Sequence, residues 1–172
     1  LGTININPNS IAVSFSFWMN LTQTPSSDHA FETSTNFNIP TDGVNLTMGD
    51  SGCLGGSGST AAESNAGATY TGYCFATPSL NTWHHYVVIV DRSLVSPTRE
   101  ISVYVDGVAP AENGAANTDY STNFGSEPLF FGARYNTNGV PSGFLGGKID
   151  EFRYYNRALS LDEIKRLYLM GK

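Results

Sequence analysis

The chain has 172 residues, of which 14% are charged, with a formal net charge of −6 at neutral pH; that is about one domain's length, enough to bury a core unaided by a metal or a disulfide lattice. Residues 1–91 contain no Lys or Arg, so half the chain lacks the clustered cations that nucleic acid or an anionic membrane requires. No run approaches the ~18 apolar residues of a membrane span, and a hydrophobic share of 40% argues against disorder.

Ile11, Val13, Phe15, Phe17 and Met19 alternate with Ala12, Ser14, Ser16, Trp18 and Asn20, a period of two that predicts a strand. Ala30–Asn38, Val44–Met48 and Thr69–Thr77 are weaker strand candidates, with a long loop predicted over 52–68. Trp83–Asp91 is apolar on both faces and reads as a strand covered on both sides. Glu100–Val105 alternates and ends at Asp106-Gly107, a tight-hairpin signal. A second long loop is predicted over 107–127, followed by strands at Leu129–Ala133 and Lys148–Tyr155. Ser160-Leu161-Asp162-Glu163 then matches a capping box. Leu161, Ile164, Leu167 and Tyr168 fall on one face of the helix it opens, and Gly171 stops it. There is no strand–helix alternation and no repeat of 20–50 residues. The pattern predicts an all-β, two-sheet antiparallel sandwich with one short C-terminal helix, a single domain over 1–172.

Cys53 and Cys74 are the only cysteines and flank a run rich in Gly, Ser and Ala. Closing about 20 such residues would contribute on the order of 3 kcal/mol in the chain-entropy model. The even count and the placement favour a disulfide over two unrelated thiols, and with it an extracellular or cell-surface location. The pair has no CxxC spacing for a metal. Leu1 is not a start residue, so the chain reads as a piece of a larger exported protein. Asn20 and Asn45 open Asn-x-Ser/Thr sequons, which matter where exports are glycosylated.

Gly146-Gly147-Lys148-Ile149-Asp150-Glu151-Phe152-Arg153-Tyr154-Tyr155-Asn156-Arg157-Ala158-Leu159-Ser160 resembles the C-terminal signature of laminin-G-like jelly-roll domains, in the concanavalin A-like lectin/glucanase superfamily. Phe15–Met19, Asn81–Val88 and Val103–Gly107 are similar to three further motifs of that family, in the same order. The resemblance covers roughly residues 10–170 and implies a concanavalin A-like jelly roll. It departs at the N-terminus, where family members carry an additional strand and an acidic, Gly-rich segment. That strand is expected to have been cut away or to be supplied by other sequence.

The resemblance also implies site residues. Asp150 stands where related glucanases place an Asp that binds a structural Ca²⁺, the other ligands being mostly backbone carbonyls; the competing role is to cap local amides or to pair with Arg153. Retaining glycosidases need two carboxyl groups about 5–5.5 Å apart. Asp150 and Glu151 are adjacent and are expected on opposite faces, and no strand carries acids at i and i+2. The chain is therefore expected not to be an enzyme. His84 and His85 read as core or sheet-surface side chains, because no nucleophilic Ser in a strained turn is identified. Trp18 and Trp83 are expected to be core residues. Loop aromatics and their neighbours are the ligand candidates: Tyr70, Tyr73, Tyr120, Asn123, Tyr135, Asn136 and Asn138, with Phe124, Asn117 and Asp119 nearby. Together they suit a neutral, polyhydroxylated ligand. The expected role is non-catalytic recognition or adhesion, with a glycan or a surface protein as partner. The alternative is a structural or assembly domain of a filament, a pilus or a multidomain surface protein, with other domains or subunits as partners.

Overall fold

The alternation read in the first predicted strand is realised as β1 (Ala12–Leu21), and the computed structural model is organised around it. The structure describes residues 9–34, 43–50, 59–65, 70–116, 120–125, 127–135 and 140–171. In chain order the other elements are β2 (Asp28–Glu32), β3 (Val44–Asp50), β4 (Ser59–Asn65), β5 (Tyr70–Ala76), β6 (His84–Asp91), β7 (Ile101–Val105), β8 (Glu112–Ala116), β9 (Phe130–Phe131), β10 (Arg134–Tyr135), β11 (Pro141–Ser142), β12 (Gly147–Tyr155) and α1 (Leu161–Met170). One sheet has the order β12-β1-β6-β7 and the other β8-β5-β4-β3-β2-β9, while β10 and β11 form a separate ladder.

Val13, Phe15, Phe17 and Met19 of β1 point into the sandwich and meet Phe31, Leu46, Met48 and Phe75 of the six-stranded sheet. Phe15 stacks on Phe31 at 4.6 Å and Phe17 on Tyr86 at 5.6 Å. Each such ring contributes about 1.5–3 kcal/mol on burial. The other face of β1 is buried too. Ser14 Oγ donates to the Arg157 carbonyl at 2.8 Å and accepts the Leu159 amide at 3.1 Å. The hydroxyl therefore ties β1 to the segment that leads into α1.

The helix follows its sequence signature. Glu163 N donates to Ser160 Oγ, Ser160 N donates to Glu163 Oε2, and the Arg157 guanidinium bridges to the Glu163 carboxylate at 2.6 Å. Those bonds hold the Glu163 carboxyl down at about 2, the Arg157 hydrogen bond being the largest cause. Ile164 packs with Val87, Ile89 and Leu159 in a second cluster beneath the helix, so the four-stranded sheet is covered on both faces.

Three sequence expectations change. The predicted loop over 52–68 contains β4, and that over 107–127 contains β8. Both strands are built of small and polar residues, so they lack the apolar alternation that marks strands in sequence. Asp106-Gly107 does turn, with φ of 53° and 79°. The chain then makes only one bridge, Val105 to Val108, before β8 pairs with β5 in the other sheet.

A buried ion pair joins the two sheets. Arg92 and Glu100 are buried with Nε and Oε1 3.5 Å apart. Arg92 Nη2 donates to Ser64 Oγ of β4, and its guanidinium lies 3.8 Å from the centre of the Phe124 ring. Tyr120 N donates to Glu100 Oε2 at 3.1 Å. Removing one partner of a buried pair strands the other. Arg92→Ala is therefore expected to cost about 3–5 kcal/mol in equilibrium urea unfolding. A loss below about 1 kcal/mol would mean the pair behaves like a surface bridge.

Candidate functional site

The site begins with an irregularity in β12. Ser16 pairs with Arg153 and Trp18 with Asp150, so one residue of β1 faces two of β12. Glu151, inside this bulge, takes a φ of 51°. A bulge re-aims the side chains around it. Ile149 and Phe152 both pack on the core, which leaves Asp150 and Glu151 together on the outer side. This corrects the expectation that adjacency places them on opposite faces.

Both acids line a cavity of about 290 Å³ with Trp18, Trp83 and Gly171. Trp83 sits one residue before β6 and is 41% exposed. Trp18 is 8% exposed and faces outward, toward the helix, between His85 (centroids 5.4 Å apart) and Tyr168 (5.9 Å). Its indole N–H is buried without a hydrogen-bond partner. A Cβ at Gly171 would collide with that nitrogen, so only glycine lets the end of the helix close over the indole edge. Trp18 is buried, as expected, though on the helix side of its sheet, whereas Trp83 is exposed, contrary to expectation. Asp150 Oδ1 accepts the Glu151 amide at 2.7 Å, and Glu151 Oε2 accepts from Arg153 at 3.0 Å. The cavity thus combines carboxylate acceptors with an exposed indole face. A hydroxyl donates to a carboxylate while the C–H face of a polyol packs on a ring, so such a site suits a polyol.

The outer face of the six-stranded sheet carries a second polar array. Glu32 pairs with Asn45 and Asn45 with Glu63, which aligns the three across β2, β3 and β4. Two acids therefore share a face across strands, an arrangement that a search along single strands passes over. Glu32 is fully buried, accepts from Ser34 at 2.9 Å and pairs with Arg134 at 3.2 Å. Burial pushes its carboxyl up to about 7 against the opposing charge of Arg134. Burial also pulls His29 down to about 3, so its 4.0 Å approach to Glu32 is no ion pair near neutrality. His29 Nδ1 instead lies 3.0 Å from Thr47 Oγ1.

The ligand candidates read from the sequence do not converge. Tyr73 packs against the core and donates its hydroxyl to the Pro110 carbonyl at 2.7 Å. Tyr120 lies beside Arg92, and Phe124 is buried under the same guanidinium. Asn123 is exposed, and Tyr135 stacks on Phe130 at 5.0 Å beside Arg134. Tyr70 opens β5. Asn117, Asp119, Asn136, Asn138 and Cys53 lie outside the described residues. Cys74 is buried on β5 against Ala61. Asn45 is buried on β3, which closes that sequon to a glycan. Asp150 Oδ1 caps the Glu151 amide, the local role weighed against Ca²⁺, while Arg153 pairs with Glu151. Among the described residues no group of three or more His, Cys, Asp or Glu stands ready for a metal. The signal that could have found the cavity is Asn81-Thr82 before Trp83, a turn pair that starts the strand one residue later than its apolar run.

The profile of a family described as the concanavalin A-like lectin/glucanases superfamily matches residues 2–165. No curated protein matches the chain. Among solved structures, a heptameric SAP-like pentraxin from Limulus polyphemus is similar at 10% identity and a TM-score of 0.64, covering 96% of this chain and 73% of that one. Domain 4 of AbnA, an extracellular GH43 arabinanase of Geobacillus stearothermophilus in complex with arabinotriose, is similar at 21% identity and a TM-score of 0.63, covering 95% and 69%. The NanB sialidase of Streptococcus pneumoniae, as its K499G mutant, is similar at 16% identity and a TM-score of 0.65, covering 96% of this chain and 27% of that one. At these identities the likeness is one of fold.

His85 gives the site a dependence on pH. Burial lowers its imidazole from 6.5 to about 4. Between those values the unfolded chain binds a proton that the folded chain refuses, so stability falls as pH falls. Glu32 and Glu100, both raised to about 7, act in the opposite sense between pH 7 and 4.5. The His85 contribution is isolated by comparing the thermal midpoints of wild type and His85→Gln. The gap between them is expected to shrink from pH 7 to pH 4.5; a constant gap would remove His85 as the cause.

Proposed function

The chain belongs to the concanavalin A-like lectin/glucanase superfamily, and from that premise we propose that it is a non-catalytic, extracellular or cell-surface recognition and adhesion module whose ligand is a glycan. The observation that carries this reading is the cavity of Trp18, Trp83, Asp150, Glu151 and Gly171. A sugar ring can lay its C–H face on the exposed Trp83 while its hydroxyls donate to the Asp150 and Glu151 carboxylates. The low charge of the whole chain is compatible with a neutral ligand. That the AbnA domain was solved with arabinotriose supports glycan as the class to test first.

A structural or assembly role is the second reading. It is favoured by the exposed apolar side chains of Phe131, Val140 and Phe144 along the β9–β12 segment, which suit burial against a neighbouring chain or domain. Glycoside hydrolysis is the least favoured: Glu32, one of the two aligned acids, is fully buried and out of reach of a substrate's glycosidic oxygen. We also propose that Cys74, buried on β5, pairs with Cys53.

A glycan array probed with the isolated domain is expected to return hits. Trp83→Ala is expected to weaken the best of them at least tenfold, about 1.4 kcal/mol. An array without signal, or a Trp83→Ala domain that binds as well as wild type, would sink the glycan reading and leave the assembly role. Intact mass after alkylation without reductant is expected to show no modified cysteine, and alkylation of both thiols would dismiss the disulfide.

A further inference from the structure

The turn before β6 brings three side chains into one hydrogen-bonded line. Ser79 Oγ lies 3.0 Å from His84 Nε2, and His84 Nδ1 lies 2.7 Å from Asp106 Oδ2. An ionised carboxylate only accepts hydrogen bonds. Asp106 therefore places the imidazole proton on Nδ1 and leaves the Nε2 lone pair facing the Ser79 hydroxyl. Asp106 is held from a second side, because its Oδ1 accepts the His85 amide at 2.9 Å. It sits in the left-handed turn that follows β7, and its own N–H donates to the His85 carbonyl at 2.8 Å. Ser79 is exposed. The turn it opens is pinned by Asn81, at φ 58°, whose N–H donates to the Leu21 carbonyl at 2.7 Å. This supplies the serine in a constrained turn that the sequence alone did not reveal.

We propose that Ser79, His84 and Asp106 form a nucleophilic relay that accepts acyl groups from small activated esters. Nucleophile, base and orienting acid stand in the roles by which such a relay is recognised, irrespective of chain order. Ser79 Oγ attacks the ester carbonyl carbon while its proton passes to His84 Nε2. The bond to the leaving oxygen breaks, and that oxygen departs with the proton from His84. Water, activated by the same imidazole, then splits the acyl–Oγ bond to release a carboxylic acid and restore Ser79. No oxyanion donor is placed by the contacts described, and such a donor is worth about 10²–10³ in rate. Slow turnover and covalent labelling are therefore the expected signatures. Side chains alternate along a strand, so His84 points away from the face of Trp18 and His85; the relay would add a slow acyl transfer beside glycan recognition and replaces only the non-catalytic part of the reading above.

The intact domain is treated with a fluorophosphonate probe and, separately, with p-nitrophenyl acetate. One phosphonate per chain is expected, mapped to Ser79 by peptide mass and absent in Ser79→Ala. The ester is expected to release about one equivalent of p-nitrophenolate in a burst. Asp106→Asn retains an acceptor for the His85 amide but no longer fixes the tautomer, and it is expected to slow labelling at least tenfold. Its thermal melt shows whether it is folded, and His84→Gln serves as a second variant with the same expectation. No adduct, an adduct on another residue, or a folded Asp106→Asn that labels at the wild-type rate would overturn the proposal.

Discussion

The structure depends on the burial of β1 on both of its faces. Phe15 and Phe17 fill the sandwich on one side, while Ser14 and Ser16 lie buried on the other. Buried hydroxyls are costly unless bonded. Ser14 is satisfied by the backbone around Arg157 and Leu159, and Ser16 by His85 at 3.0 Å. The C-terminal segment is therefore both the lid on β1 and the partner of its hydroxyls. β12 lies along the same strand, so strands far apart in sequence are tied together there. Helix α1 is short and needs its capping box, but its position follows from what β1 leaves to be covered.

The same constraint produces the cavity. A regular β12 would alternate strictly against β1 and turn Glu151 inward, into Phe15 and Phe17. The bulge at Glu151 avoids that, at the cost of a residue in the left-handed region. The result is two carboxylates on the outer side, in the cavity that Trp18, Trp83 and Gly171 also line. An unpartnered indole N–H at a largely buried position is unfavourable by itself. The glycine at 171 limits that cost to the unmade bond, because any side chain there would also collide with the ring.

How much of this could be read from the sequence differs by element. β1, β6, β7, β12 and α1 were legible because apolar alternation or a capping box marks them, and the resemblance around Asp150 marks the family. β4 and β8 were not, because Ser59–Asn65 and Glu112–Ala116 carry few apolar side chains and owe their pairing to neighbouring strands. The cavity was hidden for a different reason. Period counting assigned Trp83 to the strand, although Asn81-Thr82 turn the chain and β6 starts at His84. It also assigned Asp150 and Glu151 to opposite faces, because a bulge leaves no mark in a run of strand-forming residues. The Ser79–His84–Asp106 line depends on a turn and on a neighbouring strand, neither of which spacing along the chain can supply.

Three consecutive residues, Trp83, His84 and His85, show how closely the proposed functions hang on register. Trp83 lines the cavity, His84 meets Ser79 and Asp106, and His85 packs under the helix between Ser16 and Trp18. Strand pairing sorts them: His85 stands opposite Trp18 and His84 opposite Met19. A slip of one residue would drive His85 into the apolar sandwich and turn His84 toward the helix. The Asp106 carboxylate resists that slip, because it grips the His84 ring and the His85 amide at once. The bond that orients the proposed nucleophilic relay is therefore also a bond that sets the register of β6, and with it the place of Trp83 in the cavity. Function at either site and the order of the sheet edge share a single side chain.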